Sequence, residues 1–550
     1  MGANSFRLCP AYPLPAPLMS LPSVSSRDLR LAPREWLFLG GVIAFWAAFV
    51  VVLGKDTSWD FRNYHWYIPY AYLNGRMTMD IAVAHLASYY NPFLDIPFYL
   101  LATHVPSWVS LATLGAVQGA NVVPLYIIGR QCLRIDDYKL GAGTLALLGQ
   151  TGGLGLNLYG THYYDDVMSV FVFTSIAIVI VNFQTLREGP LWKSASIAAL
   201  AAFITGLTVG LKLPEAPFAL GVAAALIAIG GSWKHQGARI LGGAIGGILG
   251  TALFAAYWML QMQHITGNPL FPYFNEHFHS ALAVGRNYRD LRFVPTHFWR
   301  EVLFPILFTE DWSVADDIPF RDIRVALAYV TVIAASLIWA TGRRSRDPLV
   351  GPEAARVLFA FAAVSYVAWL KIFGIYRYIL ALEMFAPILI AASIGLLPLP
   401  RRTQLVALAA LFFATLVFTK PDSMERAPLG DPYVDVAVPK IAHPQHTMIL
   451  MTGNEPLGFI VPSLPHEIPV LRIDGWMLQP KDGSGLTKVM RKRVADFRGD
   501  LYLIADANAM IRAHDALKDY GLAIVWTKCT LFDTNLIGAY QLCPLSPWQG

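Results

Sequence analysis

The fold class the sequence predicts is a polytopic α-helical membrane protein with a small C-terminal α/β extracytoplasmic domain. Three observations predict it. The 550 residues are 55% hydrophobic and only 14% charged, with a mean hydropathy of +0.46, whereas soluble domains carry roughly a quarter charged residues. Apolar runs long enough for a helix to cross about 30 Å of hydrocarbon recur about eleven times. Lys and Arg alternate between rich and poor connections, as the positive-inside rule requires of correctly placed spans. The formal net charge of +5 is small for this length and scattered between apolar segments, which argues against nucleic acid as a partner.

In chain order, residues 1–33 hold several Pro and Ser with Arg7, Arg27 and Arg30, and lack the apolar core of a cleavable signal. They read as a disordered cytoplasmic leader. A myristoylation signal does not fit, because Phe6 stands where Ser or Thr is needed. A membrane domain over 34–420 then contains spans at 35–54, 107–129, 140–159, 167–186, 195–211, 216–230, 238–264, 325–341, 354–371, 376–397 and 404–419. A short apolar piece ending at Leu101 is too brief to cross and is expected at the surface.

The basic connections are the leader, 130–139, 187–193, 234–239, 343–346, and Arg401 with Arg402. They fall on every second connection, so the N-terminus is expected in the cytoplasm. The opposite face receives the loops 55–106 and 266–322, the turns at 160–166, 212–215 and 373–377, and the tail 421–550. The expected location is a bacterial inner membrane with the tail in the periplasm. Within the tail, short apolar runs at 448–451, 470–473, 501–504 and 522–526 alternate with helix-like pieces at 486–496 and 507–520, an α/β pattern. A disulfide between Cys529 and Cys543 and a pair of free thiols are both compatible with the sequence.

The chemistry concentrates on the outer face. Asp60, Tyr64, Tyr67, Ala71 and Asn74 recur at helical spacing, which predicts an amphipathic helix on the membrane surface, interrupted at Pro69 and anchored by Tyr64, Trp66 and Tyr67. Asp60 is either the N-cap of that helix or a catalytic carboxylate. His65 either orients substrate near Asp60 or faces water. Asp165 and Asp166, adjacent in the next outer turn, serve a substrate or a metal, or sit solvated. Magnesium or manganese would suit such oxygen ligands.

Lys212 and Arg377, at outer ends of spans, are candidates for stabilising a phosphate or for snorkelling to the interface, with Arg286, Arg289 and Arg292 behind them. The pair His277 and His279 lacks the companions of a zinc site. Glu310, Asp311, Asp316 and Asp317 read as a solvated acidic face.

Asp60, Tyr64 and Gly75 in the first outer loop, followed by Asp165 and Asp166 two spans later, resemble the pattern of integral-membrane glycosyltransferases of the GT-C type. This group includes protein O-mannosyltransferases, the aminoarabinose transferases of lipid A and the catalytic subunit of oligosaccharyltransferases. The stretch Thr266-Gly267-Asn268-Pro269-Leu270-Phe271-Pro272 and the triplet Tyr376-Arg377-Tyr378 are also similar to members of it, and the resemblance covers roughly residues 35–420. Two departures exist: Phe61 follows Asp60 where several families carry a second acid, and neither loop holds Asp-x-Asp.

The resemblance implies a lipid-linked donor, a sugar on polyprenyl phosphate. That sugar would pass with inversion to a hydroxyl of a glycan, lipid or protein acceptor, among membrane lipids. Asp60 would be the general base. Asp165, Asp166, Tyr64, His65, Lys212 and Arg377 would contact substrate, with a divalent metal at Asp165 and Asp166 left open. The alternative is a transporter or flippase for a lipid-linked or polar substrate, which usually shows internal repeats and mid-membrane charges. A nonenzymatic assembly component is a third reading.

Overall fold

The computed structural model describes residues 30–422 and 424–549; the expected leader lies, up to residue 29, outside the described residues. The chain is 62% helical. Seven helices are long and apolar enough to cross a membrane: Pro33–Leu53, Ser107–Cys132, Leu191–Leu211, Trp233–Thr266, Pro352–Ile372, Tyr376–Leu396 and Arg401–Phe418. The protein is therefore a membrane-embedded helical protein. The other expected spans are helical but short or interrupted. The span expected at 140–159 consists of Tyr138–Gly149 and Gly153–Leu158, and that at 167–186 of Asp165–Val181 and Phe183–Glu188. Ala216–Ala228 and Arg324–Ala340 have 13 and 17 residues.

The interruption after Gly149 has a local cause. A Cβ at Gly152 would lie 1.6 Å from Oε1 of Glu383, so the chain must pass this carboxylate without a side chain. Glu383 belongs to Leu380–Leu396, every residue of which is buried. A helix that is apolar all round occupies the centre of a bundle, and this one does. The closest helix pairing follows from sequence too. Gly242, Gly246 and Gly250 form one stripe of Trp233–Thr266. Added Cβ atoms there would meet the carbonyl oxygens of Ala195, Ala199 and Phe203 at 2.2, 2.0 and 2.1 Å. Small residues at four-residue spacing let two backbones touch, the packing favoured where lipid offers no hydrophobic drive.

The tail contains a mixed sheet. Its strand order is Val470–Arg472, Thr447–Met451, Asp500–Asp506, Ala539–Pro547, Leu522–Ile524. The first two pairings are parallel and the remainder antiparallel. Helix Met510–Lys518 falls within its expected segment, and Gly485–Asp496 begins one residue before its own. Thr530–Asp533 also pairs with Ala539–Pro547, a strand pair that the apolar runs did not signal. Cys529 and Cys543 are joined by a disulfide.

This sheet is fastened to the loop after the first helix. Ile81 adds to its edge, donating to the Val470 carbonyl at 3.0 Å and accepting from the Arg472 amide at 3.0 Å. Arg76, fully buried, pairs with Asp80 at 2.8 Å and donates to the carbonyls of His466 and Ile468 at 2.6 and 2.7 Å. Ile449, Val470 and Ile504 of the sheet share one core with Phe61, Tyr67 and Val83 of the loop.

That shared core corrects the expectation for Asp60's segment. Phe61, Trp66, Tyr67, Ile68, Tyr70 and Ala71 are all buried inside the protein, not laid along a lipid surface. Pro69 does not interrupt the helix Tyr67–Leu73. It falls in the first turn, where its missing N–H removes no intrahelical bond. The surface piece near Leu101 is a helix, Ile96–His104, with Phe98 and Ala102 turned inward.

Candidate active site

Asp60 starts the turn that follows the first membrane helix. Residues Phe61–His65 form one turn of π-helix, in which the Trp66 amide donates to the Phe61 carbonyl at 3.3 Å. The widened turn brings the Tyr64 hydroxyl back onto Asp60, donating to Oδ2 at 2.8 Å. Burial pushes the Tyr64 phenol well above its usual range, so it stays a donor. Asp60 has helical backbone angles and makes no side-chain cap bond. The N-cap reading is therefore not what the geometry displays. Asp60 keeps 18% of its side chain exposed and opens onto a cleft of about 640 Å³.

Arg377 meets Asp60 from the opposite wall. It sits in the tight turn Tyr376–Ile379 that begins the central helix, and four contacts fix that turn. Gly374 takes φ +67°, and a Cβ there would lie 2.2 Å from the Phe293 carbonyl. The Tyr376 amide donates to Ala315 at 2.7 Å, the Arg377 amide to Asp316 Oδ2 at 2.8 Å, and Trp369 Nε1 to the Ile375 carbonyl at 2.6 Å. The guanidinium then lies 4.0 Å from the Tyr163 ring centroid and donates through Nη1 to Asp60 Oδ2 at 3.1 Å. A planar cation stacked on a ring and forked between acids is a task for Arg and not for Lys.

Asp165 and Lys212 stand behind this pair. Asp165 Oδ2 is 3.8 Å from Arg377 Nε, while its Oδ1 is hydrogen-bonded to Lys212 Nζ, which also donates to the Tyr163 carbonyl at 2.8 Å. Lys212 neither snorkels nor lines the cleft; it neutralises Asp165. Asp60 and Asp165 balance Arg377 and Lys212 in charge. Asp166 is turned away: its carbonyl accepts from Asn121 at 2.7 Å and its Oδ1 from the Val167 amide at 2.9 Å. The two adjacent carboxylates, both buried, point to different neighbours and make no shared ligand set. The solvated-turn reading fails on the same burial. Among the described residues no group of three or more His, Cys, Asp or Glu converges to hold a metal.

Of the remaining expected site residues, His65 is displaced from the cleft. Its Nδ1 lies 2.7 Å from Asp95 Oδ1 in a fully enclosed pair. Burial lowers His65 to about 3 and raises Asp95 well above its ordinary value, so burial disfavours charge on both partners. The solvated-face reading holds for Asp317, exposed and paired with Arg292 at 2.8 Å, but not for Asp316. Asp316 is buried and lines the cleft. Burial pushes it up to about 6, while the charge and amide of Arg377 pull it back.

Sequence reasoning missed Asp56 and His162. Asp56 Oδ2 accepts from the His162 amide at 2.8 Å and from its Nδ1 at 2.9 Å, and Oδ1 accepts from the Ser58 amide at 2.8 Å. Burial opposes the charge on Asp56, yet these hydrogen bonds and nearby Arg426 hold it at about 2. Asp56 thereby clamps the 160–166 turn that carries Tyr163 and Asp165. The sequence offered one signal for this, an acid four residues before Asp60.

The tail closes the cleft. Asn454, Trp476 and Met477 line it, together with Tyr273, Tyr288 and Arg289 from the long loop. Compared with known protein families, with curated proteins and with solved structures, the chain matches none.

Proposed function

We propose that the protein is an integral-membrane glycosyltransferase of the GT-C type, moving a sugar from polyprenyl phosphate to an acceptor hydroxyl with inversion. The observation that carries this reading is the Asp60–Arg377 pair: a carboxylate and a stacked guanidinium, partly exposed and hydrogen-bonded to each other in the lining of one cleft beyond the ends of membrane helices. An inverting transfer needs these two charges and little else. The acceptor oxygen attacks the anomeric carbon, its proton passes to Asp60, the bond from that carbon to the phosphate oxygen breaks, and the lipid phosphate leaves carrying the electron pair. General-base assistance of this kind contributes typically ~10²–10⁴-fold. A fixed cation beside the leaving phosphate stabilises the charge that develops there.

The pairing at rest has a function in this scheme. Arg377 holds Asp60 as an ionised acceptor until a donor phosphate competes for the guanidinium, which frees the carboxylate to take a proton. Asp165, paired with Lys212, keeps Arg377 in place from behind and needs no contact with substrate. The disulfide accords with an oxidising compartment and hence a periplasmic site in a bacterial inner membrane. The alternation of basic connections supports a cytoplasmic N-terminus.

The test is transfer of radiolabelled sugar from a polyprenyl-phosphate donor by the full chain in lipid nanodiscs. Asp60→Asn should lose about 10²–10⁴ of the rate while its melting temperature stays unchanged. Full transfer by a folded Asp60→Asn protein would refute the assignment.

A transporter reading has one observation in its favour. Asp322, Arg324 and Glu383 are buried around the interruption at residues 150–152, where Asp322 accepts from the Gly153 amide at 2.7 Å and Glu383 from the Gly155 amide at 2.9 Å. Broken helices and buried charges mark substrate paths in transporters. In vesicles a transporter would move a fluorescent polyprenyl-phosphate sugar across the bilayer, indifferent to Asp60→Asn and abolished by Glu383→Gln. Label found only in a glycosylated product removes this reading.

A further inference from the structure

The proposed reaction leaves open what kind of molecule presents the hydroxyl. The part of the cleft lined by the tail residues Asn454, Trp476 and Met477 bears on this. Trp476 lines the cleft with 50% of its surface exposed, a large aromatic face with a polar N–H open to a ligand. It is not on a free loop. The Gly475 amide donates to the Leu478 carbonyl at 2.7 Å, closing a tight turn between strand and cleft. Gly475 itself is pressed against His85, whose Nδ1 a Cβ would meet at 2.2 Å.

A second indole stands in the same wall and is fixed with equal care. Trp59 Nε1 donates to the Asn454 carbonyl at 3.2 Å, and its ring stacks on His85 at 5.7 Å between centroids and 12° between planes. His85 is in turn hydrogen-bonded by the buried guanidinium of Arg472. Burial holds the His85 imidazole well below its usual pKa, so a neutral ring backs the Trp59 face. Asn454, Arg289 and Asp290, the last held by Arg292 at 2.7 Å, line the same cleft and are planar polar groups able to donate to or accept from hydroxyls.

Rigid aromatic faces flanked by planar polar side chains suit one ligand chemistry above others. A pyranose has one face of C–H bonds, which meet the negative face of an aromatic ring, and an equatorial rim of hydroxyls that need paired donors and acceptors. A peptide would look for an exposed strand edge, and a lipid acceptor for an apolar groove without this polar rim. We infer that Trp476 and Trp59 form a saccharide-binding platform, so that the acceptor is a glycan and the tail is its receptor. This rests on the glycosyltransferase reading, yet the platform can be tested without turnover.

Saturation-transfer NMR on the full chain in nanodiscs is the experiment, with methyl glycosides of glucose, galactose, mannose and N-acetylglucosamine and their β-linked disaccharides as probes. At least one should receive saturation on its ring C–H protons. Trp476→Ala should weaken that binding about tenfold or more and Trp476→Phe by no more than a few-fold. No saturation of any probe, or equal binding by Trp476→Ala, overturns the proposal. Binding that survives in a protein with no transfer activity upholds the platform and discards the enzyme, so the two failures are distinguishable.

Discussion

Asp56 and Asp60 lie four residues apart on the same loop, yet their surroundings fit them for different tasks. Asp56 is 1% exposed; both its oxygens are taken by the Ser58 amide and by His162, and no solute can reach it. Asp60 shares one oxygen between Tyr64 and Arg377 and presents the rest of its carboxylate to the cleft. A buried acid with every lone pair accounted for is a clamp, and its value is paid in rigidity. An acid with accessible lone pairs, beside a cation that another anion can engage, can exchange a proton. In the proposed reaction, chemistry would depend on what Asp60 leaves unsatisfied, with the clamp at Asp56 supplying rigidity beside it.

The contrast can be broken by substitution. The largest effect is expected from Asp60→Asn, the loss of transfer described above with the fold retained. Arg377→Lys comes next: an ammonium cannot stack on Tyr163 while forked between Asp60 and Asp165, so transfer should fall about 10- to 100-fold, with saccharide binding intact. Steady-state rates at saturating donor measure this, and near-normal turnover would mean that a bare positive charge suffices.

Asp56→Asn should act in the other direction. It removes a charge-assisted bond inside the protein, costing about 2 kcal/mol of stability, while the rate per folded molecule changes no more than a few-fold. Thermal unfolding in detergent and active-site titration separate the two readings. A stable Asp56→Asn protein without activity would erase the distinction between clamp and base.

The smallest effect concerns pH. Asp316, with its folded value raised to about 6, holds a proton in the folded state where the unfolded chain has lost it. Its contribution to stability is full below about pH 4 and is lost as pH rises through about 6. Protonation also removes the charge that accepts the Arg377 amide. Transfer should thus decline a few-fold as pH falls below 6, and Asp316→Asn should flatten both the rate and the stability profile in that window. Profiles superimposable on the parent's would show that Asp316 does not titrate there.

Much of this arrangement was legible in residue order. Apolar runs marked the membrane helices, and the alternation of basic connections gathered Asp60, Asp165, Lys212 and Arg377 on one face, where the structure joins them into one ionic cluster. What stayed hidden depends on distance or direction. His162 and Asp95 are polar residues in aromatic stretches whose partners, Asp56 and His65, lie 106 and 30 residues away. Asp165 and Asp166 look equivalent in sequence, but consecutive side chains on a helix point about 100° apart, so only the first can face Arg377. Asp316 resembles Asp317 in every local respect. It differs because the next membrane helix, Pro352–Ile372, ends in a turn that buries it. Trp476 gave no signal, since its neighbours in the cleft come from loops far off in the chain.

The helix Trp233–Thr266 carries one further implication. Its 34 residues extend about 51 Å at 1.5 Å per residue, against about 30 Å of hydrocarbon. It is therefore longer than a hydrocarbon crossing by about 20 Å, and its buried Trp258 and Met262 lie in its last third. It behaves as a ruler. The long loop that begins at Gly267 is hung from its tip, so in the proposed reaction the helix length would set how far Tyr273 and Tyr288 of the cleft stand from the lipid.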